Sequence, residues 1–126
     1  MPRVLLSSVL FVGALRRFFG GGAPLENVGA ADARRLQLEE GAILVDVREL
    51  HEWRGGHAPQ AKHIPLGEIE GKMVQLDKGK TIIVTCASGM RSRAGARKLL
   101  ASGFPRVLNL SGGMNAWRAA RLPMQK

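Results

Sequence analysis

Cys86 is the sole cysteine of the sequence, and its neighbours decide what it can do. It follows the β-branched run Thr81-Ile82-Ile83-Val84-Thr85 and opens the segment Cys86-Ala87-Ser88-Gly89-Met90-Arg91-Ser92, which leads into a helical stretch. A short loop between strand and helix, with glycine at its middle, can turn successive backbone N–H groups into one concavity that binds an anion. The same donors lower the pKa of a thiol and make thiolate available at neutral pH. Arg91 and Arg93 place fixed positive charge nearby. The pattern offers a thiolate nucleophile beside an anion cradle. The structural alternative is a small buried hydrophobe, the usual state of a free cysteine.

The other residues of the loop carry secondary roles. A base in the first turn of a helix opposes the helix dipole, so Arg91 is expected to hold the loop closed and attract the anion. Ser92 either hydrogen-bonds the sulfur or caps the helix. Ser88 and Met90 are expected to face substrate, and Gly89 to supply a backbone angle that other residues resist. Asp46 ends an apolar run, where its carboxylate either meets Arg91 or accepts a backbone N–H. Arg48 and Glu52 stand four residues apart and are expected to pair, and both are read as structural. His57 and His63 flank a loop, and a pair of histidines invites a metal or general-base reading. One cysteine excludes an intrachain disulfide and a cysteine-rich zinc site.

These groups need a scaffold, and the sequence describes one. Helices are expected over Ala30–Glu40, stopped by Gly41, and over Glu49–Arg54, Gly67–Leu76, Arg91–Ser102 and Met114–Ala120. Strands are expected over Ile43–Val47, Thr81–Thr85 and Val107–Leu110, with Ile64 and Pro65 extended. Continuous apolar strands suit a parallel sheet covered on both faces. Alternation of strands and helices predicts an α/β domain with a central, mainly parallel sheet and helices on both faces. Ligand sites in such sheets lie beyond the carboxyl ends of the strands, where Cys86 falls.

Charge is divided unevenly. The last acidic residue is Asp77, and residues 78–126 hold ten Lys or Arg. All of the net charge of +9 therefore belongs to the part containing Cys86, and such a field assists the arrival of anions. No nucleic-acid motif accompanies the basic residues, and no nucleic-acid partner is expected. Residues 1–24 form a separate unit. They lack acids, carry Arg3, Arg16 and Arg17, and hold a mostly apolar run from Val4 to Leu15 that ends before a Gly run. The run is shorter than the ~18–20 residues of a spanning helix. An interfacial anchor helix, an organellar presequence and a helix packed on the domain are the three readings. The expected location is cytoplasmic, with membrane contact through residues 1–24, and organellar or exported placement left open. The folded domain is expected over residues 25–126.

Three segments together resemble the rhodanese family. Cys86-x-x-Gly89-x-Arg91-Ser92 looks like the family's active-site loop. Asp46-Val47-Arg48-Glu49 with Glu52-Trp53, Gly55-Gly56-His57, Ala61 and His63-Ile64-Pro65 resembles its first signature, and Ser111-Gly112-Gly113-Met114-Asn115-Ala116-Trp117 its C-terminal one. The resemblance covers about residues 25–123 in the right order. It implies a rhodanese-like fold and a Cys86 thiolate that takes the outer sulfur of thiosulfate, or of a similar anionic sulfane donor, as a persulfide. It implies an acceptor that is cyanide, a thiol or a sulfur-accepting protein, a substrate-binding loop of Ala87 to Ser92, an architectural role for the segment of His57 and His63, and no metal or organic cofactor. The loop has the shorter Cys-x4-Arg form, so a cysteine phosphatase or arsenate reductase is the weaker enzyme reading. A non-catalytic interaction module is the alternative of another class, and the retained cysteine favours the enzyme.

Overall fold

The computed structural model describes residues 25–126, and the segment 1–24 with its three readings lies outside the described residues. The strands are β1 (Asn27–Val28), β2 (Ile43–Asp46), β3 (Lys62–His63), β4 (Ile82–Thr85) and β5 (Val107–Leu110). The α-helices are α1 (Ala30–Glu40), α2 (Leu50–Arg54), α3 (Ile69–Lys72), α4 (Arg91–Ala101) and α5 (Gly113–Ala119). The strands form one sheet in the order β1-β5-β4-β2-β3, and every pairing is parallel.

Alternation along the central strands sends side chains to opposite faces, and each face builds its own core. Val45, Ile82 and Val84 join Ile64, Ile69, Ala96, Leu99 and Phe104 on the side of α3 and α4. Leu44, Ile83, Leu108 and Leu110 join Ala33, Leu36, Met114 and Trp117 on the side of α1 and α5. Trp117 is fully buried, and its indole N–H donates to the Pro123 carbonyl (2.8 Å). The two-sided cover is the arrangement that near-continuous apolar strands require.

One expectation changes, and two strands are added. The single helix over 67–76 is instead three short turns, a 3-10 turn at Leu66–Glu68, α3, and a second 3-10 turn at Met73–Gln75. Gly67 and Gly71 weaken any continuous helix there, while full burial of Ile69 fixes the segment on α4. The edge strands β1 and β3 are two residues long, too short for a periodic pattern to reveal.

The sheet's register places the chemistry. Asp46 lies beside Thr85, so the carboxyl ends of β2 and β4 are level and Cys86 emerges just beyond them. The first turn of α5 then closes on this point. The N–H groups of Met114 and Asn115 at the start of α5 donate to the carbonyls of Cys86 (2.7 Å) and Ala87 (3.0 Å). Contact this close is open only to glycine at 113. A Cβ there would lie 2.7 Å from the Ala87 carbonyl carbon and oxygen and nearer still to the Cys86 oxygen, and Gly113 has φ +55°. Both obstacles are backbone atoms, which cannot turn aside.

Gly113→Ala is therefore expected to lower stability by about 2–4 kcal/mol in denaturant unfolding. Gly71→Ala, a helical position with open space around the added methyl, should be neutral or stabilising by up to about 1 kcal/mol. Equal effects of the two substitutions would show that α5 does not clamp the loop.

Candidate active site

Cys86 is only 1% exposed, and its sulfur sits inside the turn formed by its own loop. The Gly89 N–H donates to Sγ at 3.1 Å, and the thiol donates to Ser92 Oγ at 3.4 Å. Burial alone pushes the Cys86 pKa up. Hydrogen bonding with the Ser92 side chain and with the N–H groups of Ser92, Gly89 and Ser88 outweighs it, and the pKa lies below that of an ordinary thiol. A thiolate is thus favoured by donors fixed in the backbone, in a place from which water is largely excluded.

Gly89 has φ +102°, in the region that favours glycine, and it is buried where its added Cβ would meet the Gly112 nitrogen at 3.3 Å. That turn is what brings its N–H back onto the sulfur. Ser88 and Met90 are exposed, Met90 at 76%, so both lie on the rim of the loop. Ala87 is half-buried, and Arg93 is exposed on the first turn of α4. Ser92 is fully buried and bonds the sulfur rather than only capping the helix. Its hydroxyl donates to Asn109 Oδ1 at 2.5 Å.

The ion pairs differ from those expected. Arg91 meets Glu52, not Asp46, in a two-pronged contact of 2.8 and 2.9 Å. Asp46 accepts from the Arg48 guanidinium at 2.8 to 3.0 Å and from the Arg48 N–H, with both side chains buried. Arg48 therefore has no part in the pair expected with Glu52. The reason is the turn after β2: it folds Arg48 back onto the strand end, where its Nη2 also donates to the Gly56 carbonyl (2.8 Å). Glu52 is left facing the start of α4.

The remaining residues of the first signature build the seat for Glu52. Glu49 and Glu52 form a capping box at the start of α2, and the Glu49 N–H donates to Glu52 Oε1 at 3.0 Å. Trp53 stacks on His57 with centroids 3.5 Å apart and packs on His63 at 4.8 Å. Ring nitrogens of His57 and His63 bond the Trp53 and Arg48 carbonyls, which gives both histidines architectural roles. Among the described residues no three of His, Cys, Asp and Glu gather in a way that could hold a metal.

Two residues of the site escaped the sequence reading in their true roles. Glu52 was legible as the far end of an Arg48-Glu49-x-x-Glu52 cap, but its partner is 39 residues away. Asn109 was legible only as the one polar residue in the strand Val107-Leu108-Asn109-Leu110, and it is 1% exposed beside Ser92.

The Arg91 guanidinium holds the Glu52 carboxyl down to about 2, well below the ordinary 4.5. A carboxylate with a depressed folded pKa contributes stability that is present above about 4.5 and lost as pH falls through about 2. Arg91 is 38% exposed, so solvent screening keeps the contribution to about 1 kcal/mol or less. The stability gap between the unmodified protein and Glu52→Gln should therefore close as the pH is lowered through that window in denaturant titrations. A gap that stays constant with pH would contradict the ion-pair origin.

Comparison with known proteins fits this geometry. The family profile for the rhodanese-like domain matches residues 30–120. The putative sulfurtransferase YtwF of Bacillus subtilis is 42% identical over 94 residues, covering 75% of this chain and 90% of that protein. The putative sulfur carrier protein YrkF of the same organism is 34% identical over 112 residues, and this chain spans 60% of its length. The crystal structure of the BH2092 protein of Bacillus halodurans superposes with a TM-score of 0.73 at 30% identity, covering 89% of this chain and 83% of that one. With its ordered signatures, its parallel sheet and its cysteine loop at the strands' carboxyl ends, this chain belongs to the rhodanese-like domain family.

Proposed function

We propose that this protein is a sulfurtransferase that moves sulfane sulfur from thiosulfate, or a similar anionic donor, to cyanide or a thiol by way of a persulfide on Cys86. The observation that carries this reading is the placement of Sγ inside the turn of its own loop, with the Gly89 N–H donating to it at 3.1 Å and the Ser92 hydroxyl 3.4 Å away. Family membership and the sulfurtransferase naming of YtwF support the general class.

The chemistry follows from those positions in two steps. The Cys86 thiolate attacks the outer sulfur of the donor, a new S–S bond forms, and the donor's own S–S bond breaks as sulfite leaves with the electron pair. Splitting the transfer through a covalent carrier replaces one difficult step by two easier ones. The N–H groups of the loop stabilise the negative charge on the persulfide's outer sulfur, and being fixed in advance they need no reorganisation. An acceptor nucleophile then attacks that outer sulfur, and the Cys86 thiolate leaves as it began. The acceptor must be external, because the chain has no second thiol. Met90 and Ser88 on the rim are the residues a donor or acceptor meets first.

Arg91 contributes differently in this reading. Its charge lies beside the loop, but both prongs of its guanidinium are engaged by Glu52. It holds the first turn of α4 against α2 and assists anions through its field rather than by a direct bond.

Cys86→Ser should lower thiocyanate formation from thiosulfate and cyanide by at least about a thousandfold while leaving the unfolding midpoint nearly unchanged. Retained turnover would remove Cys86 from the mechanism. Arg91→Ala should cost about tenfold in kcat/KM for thiosulfate, with less loss for an uncharged sulfane donor such as a neutral organic trisulfide. Equal losses on both donors would mean that Arg91 acts through the fold and not through its charge.

A further inference from the structure

The hydrogen bonds behind Cys86 form a chain that the reaction must disturb. Ser92 Oγ stands 2.5 Å from Asn109 Oδ1, and two oxygens this close need a proton between them. Ser92 has one proton to give, so its oxygen can face Cys86 only as an acceptor of the thiol hydrogen. Asn109 is itself held in this sense, since its Nδ2 donates to Asn27 Oδ1 at 2.9 Å. Every group in the chain therefore points the way that suits a protonated Cys86. When the thiol ionises, the sulfur becomes an acceptor and the arrangement no longer fits. The Ser92 hydroxyl must turn to the sulfur, leaving its oxygen against Asn109 Oδ1. Half a turn of the Asn109 amide then presents Nδ2 to Ser92. The outermost member can follow, because Asn27 is exposed on the edge strand β1, directly opposite Asn109 in register.

We infer that Asn109 is a positioning residue that, through the direction of the Ser92 hydroxyl, sets the balance between protonated and anionic sulfur at Cys86. The inference takes Cys86 as the reacting group, as proposed above. Its oxygen-toward-Ser92 state holds the resting thiol, and its reversed state supplies the anion with a second donor besides the loop amides. The charged groups on the elements around the loop do not offer another explanation. Arg91 is paired with Glu52, and Asp46 is paired with Arg48, whose carbonyl meets His63; elsewhere on α4, Arg93 and Arg97 are exposed to solvent and Lys98 pairs with Glu70. The strands β4 and β5 carry no charged residue, and α5 has only Arg118, in its last turn.

The test is an ultraviolet titration of the Cys86 thiolate in the full chain. The protein has one cysteine and no tyrosine, so neither a second thiol nor a tyrosinate overlaps the signal. Asn109→Leu leaves the Ser92 proton no partner but the sulfur, and the midpoint should fall, with about fivefold more thiolate at a pH below it. Asn27→Ala frees the Asn109 amide to turn and should move the midpoint the same way by less. In a Ser92→Ala background Asn109→Leu should produce no further shift, whereas a general loosening of the core would still move it. An unchanged or raised midpoint in folded Asn109→Leu would overturn the inference. Should that variant fail to fold, an unchanged midpoint in Asn27→Ala would do so. No sulfur donor enters this measurement, so its failure is separate from any failure to transfer sulfur.

Discussion

The site depends on two hydrogen bonds that run from the start of α5 to the loop that opens at Cys86. The N–H groups of Met114 and Asn115 fix the carbonyls of Cys86 and Ala87, and a peptide whose carbonyl is tied outward must turn its other side elsewhere. Here the following amides come round onto the sulfur. The bonds exist because Gly113 brings α5 against bare backbone, and because β5 places that helix beside the strand that ends at Cys86. Sheet order, glycine placement and loop shape are thus one constraint. The C-terminal signature performs its work without touching the sulfur.

Given that shape, the electrostatics are a contest between burial and fixed dipoles. Removing a thiolate from water is costly, and only donors already in place can offset it. The loop supplies N–H groups rather than a charged side chain, which keeps the compensation close to the sulfur and leaves the rim free for a substrate. The Arg91 guanidinium is held by Glu52 and makes no direct bond to an anion, so the loop's anion preference rests on its amides and on the general basic field of residues 78–126, to which Arg91 belongs. The buried Asp46–Arg48 pair has another task. It closes the end of β2 and, through Gly56 and the Trp53 stack, fixes the short helix that carries Glu52.

Much of this was legible from residue order. The strands over 43–46, 82–85 and 107–110 are continuous apolar runs, and the cysteine between a strand and a helix identifies the loop at once. The Gly112-Gly113 pair stood out in the C-terminal signature, but nothing in the sequence told that its turn exists to reach the loop carbonyls. What stayed hidden is spatial. Arg91 could be paired with Asp46 on sequence because both end at the same edge of the sheet, and only the fold of the turn at Arg48 reserves Asp46 for another partner. The stretch 67–76 has helical content but two glycines, and packing of Ile69 decided how it breaks. Asn109 carries no signal beyond being polar in an apolar strand, since its meaning comes from Ser92 on another element.

The central claim is that Cys86 carries sulfur as a persulfide held by the loop. Intact-protein mass after incubation with thiosulfate and no acceptor addresses it directly. The account predicts a gain of one sulfur, ~32 Da, that disappears on adding cyanide or a thiol and never forms in Cys86→Ser. An unchanged mass with thiosulfate and with other sulfane donors, in protein shown to be folded, would contradict it.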